Sequence, residues 1–289
     1  MGDSPALIYL PHYTDPFIED LFTQFAGLAY AVLHNLPSFY NQLSFRKEKY
    51  ARKSHVCPFP VGPITDGSFL TEQPVEAFQN GNFIKVPVLF GSNTNEGANW
   101  SAELDDPNAN TSSPNATEMT VYNFIAGQYP TFTQESFQTA ITEFYPLVDY
   151  NGSFSLQGQQ MYGEMRYICS AVMVTGALQD AGMDAYQYRW DNPTLGSDHA
   201  DELDVFFNGD EVFDPTDQAL VEAMRSYWTS FVTSGQPVAE SSIEWTPATD
   251  NDGSPRILLH PGDVVLEDVS DALSERCAFW HSISSELAT

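Results

Sequence analysis

Short apolar runs alternate with longer amphipathic ones from residue 83 to residue 269, and that alternation limits the folds open to the chain. Residues 83–90, Phe-Ile-Lys-Val-Pro-Val-Leu-Phe, predict a buried strand ending at Gly91. Residues 185–190 alternate as a second strand. Residues 134–145, 159–181 and 217–232 have helical length and spacing, and Gly182 and Gly235 stand where the last two should stop. Residues 256–260 and 264–269, joined through Pro261, Gly262 and Asp263, predict a hairpin. Buried strands separated by helices call for an α/β sheet.

Charge narrows the partners. The sequence holds 39 acidic and 11 basic residues, a net charge of -28. Phosphate backbones and anionic lipid repel such a surface, so no nucleic-acid partner is expected. With 42% hydrophobic and 13% aromatic residues among 289, the chain has enough apolar surface to fold and is not a disordered polymer. The acidity is unevenly spread: residues 1–56 carry five acidic and five basic groups, and the whole excess follows them. This predicts a boundary, with 1–56 and 57–289 as separate units. In the first unit, Asp15 as cap and Pro16 behind it start a helix that ends before Pro37. Its apolar stretch, 21–33, is too short to cross a bilayer, so no integral membrane span is expected. Residues 1–5 show no basic region, apolar core or cleavage site, so no signal peptide is read there.

Cys57, Cys169 and Cys277 are too few and too scattered for a disulfide-stapled mini-domain or a zinc site, and at most one bridge can form. Four N-x-[ST] triplets begin at Asn99, Asn110, Asn115 and Asn151. Their clustering predicts a secreted, N-glycosylated surface.

Two loops offer chemistry. Gly91-Ser-Asn-Thr-Asn-Glu96-Gly97 follows the first strand directly, and Gly196-Ser-Asp-His199-Ala-Asp-Glu-Leu203 lies in the loop after the second. Ligands of α/β sheets bind at the carboxyl ends of strands, where both loops fall. One loop brings a carboxylate and the other an imidazole. A carboxylate accepting Nδ1–H fixes the histidine tautomer and leaves Nε2 as a general base. Asp198, Asp201 and Glu202 read as a solvated loop and a helix start, and His199, Asp201 and Glu202 lack the spacing of a metal-ligand set. His260 and His281 are expected to be exposed, and Tyr188 and Trp190 to lie in the sheet core.

Several blocks in fixed order carry a resemblance. Residues 62–70 (Gly-Pro-Ile-Thr-Asp-Gly-Ser-Phe-Leu) and 82–97 come first. Tyr-Ile-Cys-Ser-Ala at 167–171, Tyr-Gln-Tyr-Arg-Trp at 186–190 and residues 196–207 follow. The last are Tyr-Trp-Thr-Ser-Phe-Val-Thr-Ser-Gly at 227–235 and Glu-Arg-Cys-Ala-Phe-Trp at 275–280. Together they resemble the type-B carboxylesterase/lipase family, above all its fungal secreted members. The resemblance implies the C-terminal half of an α/β-hydrolase domain over residues 57–289, a mixed and mostly parallel sheet flanked by helices. It implies ester hydrolysis by a Ser-Glu-His triad, with Glu96 as the acid and His199 as the histidine, small-molecule or lipid esters as substrates, and no cofactor or metal. Cys169 and Cys277 both lie in matching segments, where they either pair or sit as two buried thiols.

The family's serine stands in a Gly-x-Ser-x-Gly elbow upstream of the acid. The sequence contains no such pentapeptide and no Gly-Gly pair for an oxyanion loop. The expectation is therefore a chain with the acid and base of an esterase, negligible turnover by itself and marginal stability. The alternative is a non-catalytic binding or adhesion glycoprotein of the same fold, or a truncated pseudoenzyme. Nothing in the sequence sets an oligomeric state.

Overall fold

Four strands form one sheet in the order β1–β2–β3–β4, in a computed structural model that describes residues 64–287 apart from 103, 130, 208–212 and 249–254. They are β1 (Val88–Asn93), β2 (Ala185–Trp190), β3 (Pro255–Leu259) and β4 (Val265–Asp268). β1 and β2 pair in parallel from Val88–Ala185 to Asn93–Trp190. β3 continues the parallel set, with Tyr188 opposite Ile257, and β4 returns antiparallel with Leu266 opposite Ile257. The boundary at residue 56, the helix ending before Pro37 and Cys57 fall outside the described residues.

The helices among the described residues are α1 (Pro74–Gln79), α2 (Glu118–Gln128), α3 (Gln134–Thr139), α4 (Phe154–Gly163), α5 (Cys169–Asp180), α6 (Glu202–Phe207), α7 (Pro215–Ser234) and α8 (Asp271–Ser282). β2 dictates how they sit. Its even residues Tyr186, Tyr188 and Trp190 are buried with Leu220, Val221, Met224 and Tyr227 of α7. On the other face Ala185 packs with Met173, Val174 and Leu178 of α5. Side chains alternate across a strand, so one strand recruits a helix to each face. Full burial of each large apolar side chain contributes about 1.5–3 kcal/mol. A third apolar cluster, with Phe124, Tyr145, Met161 and Trp280, joins α2, α4 and α8 beside the sheet.

Local signals explain the ends. The Asp214 carboxylate accepts the Thr216 and Asp217 N–H groups, Pro215 opens α7, and Gly235 closes it at φ 77°. The helix expected over 159–181 is two helices, because a π-helical turn, Glu164–Ile168, separates α4 from α5. Ser153 caps α4 by accepting the Leu156 N–H. Gly182 at φ 69° ends the run, and Met183 N–H donates back to the Leu178 carbonyl at 2.9 Å. A disulfide joins Cys169 at the start of α5 to Cys277 on α8, with the Cα atoms 5.0 Å apart.

Three expectations need correction. The first strand covers 88–93, not 83–90, and Ile84 is 80% exposed. Gly91 lies inside it as a close-approach residue: a Cβ there would fall 2.4 Å from the Tyr188 carbonyl oxygen. Glu202 is buried at the start of α6, not solvated. His260 and His281 are half-buried. Burial holds the His281 imidazole below its ordinary 6.5, against a hydrogen bond from the ring to the Cys169 main chain. Among the described residues, no helix is long and apolar enough to cross a membrane.

Candidate active site

β1 and β2 run side by side in the same direction, so the loops that leave Asn93 and Trp190 are neighbours. Main-chain bonds tie them together. Thr94 N–H donates to the Trp190 carbonyl and Asn95 N–H to the Ser197 carbonyl, each at 2.9 Å. The first loop then turns back on its own strand, because Asn93 N–H donates to Glu96 Oε1 at 2.7 Å. The other carboxylate oxygen, Oε2, lies 2.6 Å from His199 Nδ1. Glu96 is 2% exposed and the His199 side chain 21%. A carboxylate this deep needs donors to its charged form, and a main-chain N–H and an imidazole supply them. With Nδ1–H given to a carboxylate, the Nε2 lone pair is the ring's basic site.

Neighbouring groups hold the pair in place. A Cβ on Gly97 would fall 1.8 Å from the Gln159 carbonyl oxygen and 2.7 Å from the Gly163 nitrogen, so only glycine lets the acid loop lie on α4. The Trp100 indole N–H donates to the Glu96 carbonyl at 2.9 Å. On the histidine side, Asn93 Nδ2 donates to the Asp198 carbonyl and to Glu202 Oε2, both at 2.6 Å. Asp198 N–H donates to Asp201 Oδ2 at 2.7 Å. Burial raises the Asp201 carboxyl above its usual range. Ala200 follows His199 at φ 73°, a conformation that costs a non-glycine residue energy. Burial, then the charges of Glu202 and Glu96, push the Tyr188 phenol well above 10, so it stays protonated beside them.

The imidazole is also covered by rings. Tyr167 lies over it with centroids 4.4 Å apart and planes 29° apart, and the Trp100 centroid is 5.5 Å away. Glu96 and His199 stand out in the sequence, whereas Asn93, Trp100 and Tyr167 join them only in the fold. Asn93 was legible as part of an Asx-rich strand end. Tyr167 was not, because it reaches the site from a separate helical turn.

Of the four sequon asparagines, Asn99, Asn115 and Asn151 are exposed and Asn110 is half-buried. Asn99 gives its amide to Asp198 Oδ2 at 2.7 Å, and Asn110 gives its amide to the Ala102 and Leu104 carbonyls. A cavity of about 230 Å³ lies against the acid loop, lined by Glu96, Gly97, Tyr150, Leu156 and Ile168 among others. A larger one, about 540 Å³, lies along α7 near Leu220 and Ile243, and neither Glu96 nor His199 lines it. No group of His, Cys, Asp and Glu among the described residues is arranged to hold a metal ion.

A sequence model of the carboxylesterase family matches residues 37–280. Pyrethroid hydrolase Ces2e of Rattus norvegicus is 23% identical over 207 residues, 66% of this chain and 36% of that protein. Carboxylesterase 1E of Mus musculus is 23% identical over 247 residues, 80% of this chain and 42% of that protein. Bile salt-activated lipase of Mus musculus is 22% identical over 212 residues, 66% and 35% of the two chains. In fold, the chain is similar to the crystal structure of Aspergillus niger EstA, with a TM-score of 0.66 and 24% identity over 79% of this chain and 46% of that one. The chain thus spans 35% to 42% of the length of these three curated relatives.

Proposed function

The chain belongs to the carboxylesterase family, and from that membership we propose that Glu96 and His199 are the acid and base of a carboxylic-ester-hydrolysing site. The observation that carries the reading is the 2.6 Å contact between Glu96 Oε2 and His199 Nδ1. Glu96 keeps the proton on Nδ1 and stabilises the imidazolium as it forms. Nε2 takes the proton of a serine hydroxyl, and the serine oxygen attacks the ester carbonyl. The imidazolium then protonates the leaving alcohol, and water, activated by the same nitrogen, releases the acyl group. The chain's own residues supply proton transfer and its orientation. The sequence holds no Gly-x-Ser-x-Gly elbow, so we assign no nucleophile within it. The substrate class we propose is small-molecule or lipid esters. The relatives, named as a pyrethroid hydrolase, a carboxylesterase and a bile salt-activated lipase, support that breadth.

We place the chain in an oxidising, secretory setting. The Cys169–Cys277 bridge supports this, since disulfides persist there. Glycans are proposed at Asn115 and Asn151 and not at Asn99 or Asn110, whose amide groups already donate to Asp198 and to the Ala102 carbonyl. Intact-mass analysis of the secreted chain checks both.

Two assays test the function. The purified chain should hydrolyse a chromogenic short-chain ester at the background rate, and turnover abolished by His199→Ala would show a nucleophile already present. A hybrid placing the serine-bearing portion of a family member ahead of residue 64 should gain hydrolysis. His199→Ala should then lower kcat by about 10⁴-fold or more. Hydrolysis by the hybrid that survives His199→Ala would overturn the proposal.

A further inference from the structure

We propose that Tyr167 is a positioning residue for His199, holding the imidazole plane against Glu96 and keeping water from the bond between them. This deepens the acid–base reading and rests on it. Tyr167 belongs neither to the acid loop nor to the histidine loop, but to the π-helical turn Glu164–Ile168 between α4 and α5. A turn wider than an α-helix re-aims the side chains it carries, and such turns recur at functional sites.

This turn is pinned to α8 at both ends. Glu164, at its start, accepts Arg276 Nε at 2.6 Å and Arg276 Nη2 at 2.7 Å. Cys169, just past its end, is bonded covalently to Cys277. Arg276 and Cys277 are adjacent on α8, so one helix fixes the whole turn. The ring that emerges is 1% exposed and lies nearly flat on the imidazole. A second ring, Tyr162, meets Tyr167 edge-on at 6.2 Å, and the Arg166 guanidinium stands 5.7 Å from its centroid. Tyr167 is therefore held from several sides.

Glu96 holds the imidazole through Nδ1, and that bond by itself does not set the tilt of the ring plane. A flat aromatic neighbour restricts that tilt. Its face also attracts the imidazolium, the form that must be stabilised when Nε2 takes a proton. Trp100 contributes at a steeper 51° and is already committed through its indole N–H to the Glu96 carbonyl.

The test is nuclear magnetic resonance of the ¹⁵N-labelled chain, read at the His199 Nδ1–H proton. Tyr167→Leu should speed its exchange with water by about tenfold and move the His199 ring-proton shifts downfield. Tyr167→Phe, which keeps the face, should leave both as they are. Equal behaviour of the Leu and Phe variants, or no change in either, overturns the proposal. Should the Leu variant not fold, the unsubstituted chain decides: cross-relaxation between the Tyr167 and His199 ring protons is expected, and its absence is contrary. Neither readout needs hydrolysis. Failure of the acid–base reading shows separately, as an Nδ1–H signal indifferent to Glu96→Gln.

Discussion

Two buried carboxylates, Glu96 and Glu164, sit in one molecule and are treated differently. Glu164 is 1% exposed and saturated by donors: Tyr145 Oη at 2.7 Å, two nitrogens of Arg276, and Gln160 Nε2. The Tyr145 hydroxyl in turn accepts the Trp280 indole N–H at 2.6 Å. Arginine does not release its proton at any pH a protein survives, so that assembly can only hold α4 and α8 together. Glu96, equally deep, meets the Asn93 N–H and the His199 ring instead. A carboxylate locked to a permanent cation stabilises a fold. One paired with an imidazole is suited to the acid–base role proposed for it.

The contrast can be broken by substitution, most heavily on the Glu164 side. Replacing Cys169 and Cys277 together by alanine frees α8 from α5 and opens a link between residues 108 apart in sequence. A loss of about 4 kcal/mol in urea unfolding is expected. Glu164→Gln leaves Arg276 without its counter-charge and should cost about 3 kcal/mol by the same measurement. A loss under about 1 kcal/mol would mean that the two carboxylates do not differ as described. Gly97→Ala drives a methyl into the Gln159 carbonyl. About 2 kcal/mol is expected from such overpacking, together with loss of the His199 Nδ1–H signal as the acid loop lifts.

Smaller effects sharpen the picture. His281 lies on α8, and burial lowers its pKa in the folded state. Its contribution is therefore present above 6.5, the unfolded value, and is lost as pH falls through the lower folded value. Urea midpoints should fall between about pH 7.5 and pH 5, and His281→Leu should flatten that decline. Glu96→Gln should cost least, about 1 kcal/mol, because the amide oxygen still accepts from Asn93. A loss as large as that of Glu164→Gln would make Glu96 a structural residue.

How much of this was legible in sequence follows from which forces are local. The bounds of β2 were legible from its alternation, but its burial was not: Gln187 is as buried as Tyr186 and Tyr188, because helices cover both faces of the strand. β1 was misplaced because Gly91 looks like a stop, and only the Tyr188 main chain across the pair makes it an interior residue. The helix expected over 159–181 is broken by a π-helical turn, which has no periodicity of its own to reveal it. The two chemical loops were visible as polar, glycine-flanked strand ends. Asn93, Trp100 and Tyr167 gather around them through tertiary packing, which residue spacing does not encode. The buried state of Glu202 was hidden for the same reason: its partner, Asn93, is 109 positions away.

The central claim is that Glu96 fixes the proton of His199 on Nδ1. The ¹⁵N chemical shifts of the neutral His199 ring measure this directly. A protonated Nδ1 and an unprotonated Nε2 are expected in the unsubstituted chain, with that pattern lost in Glu96→Gln. A ring protonated on Nε2, or a pattern that Glu96→Gln leaves unchanged, would contradict it.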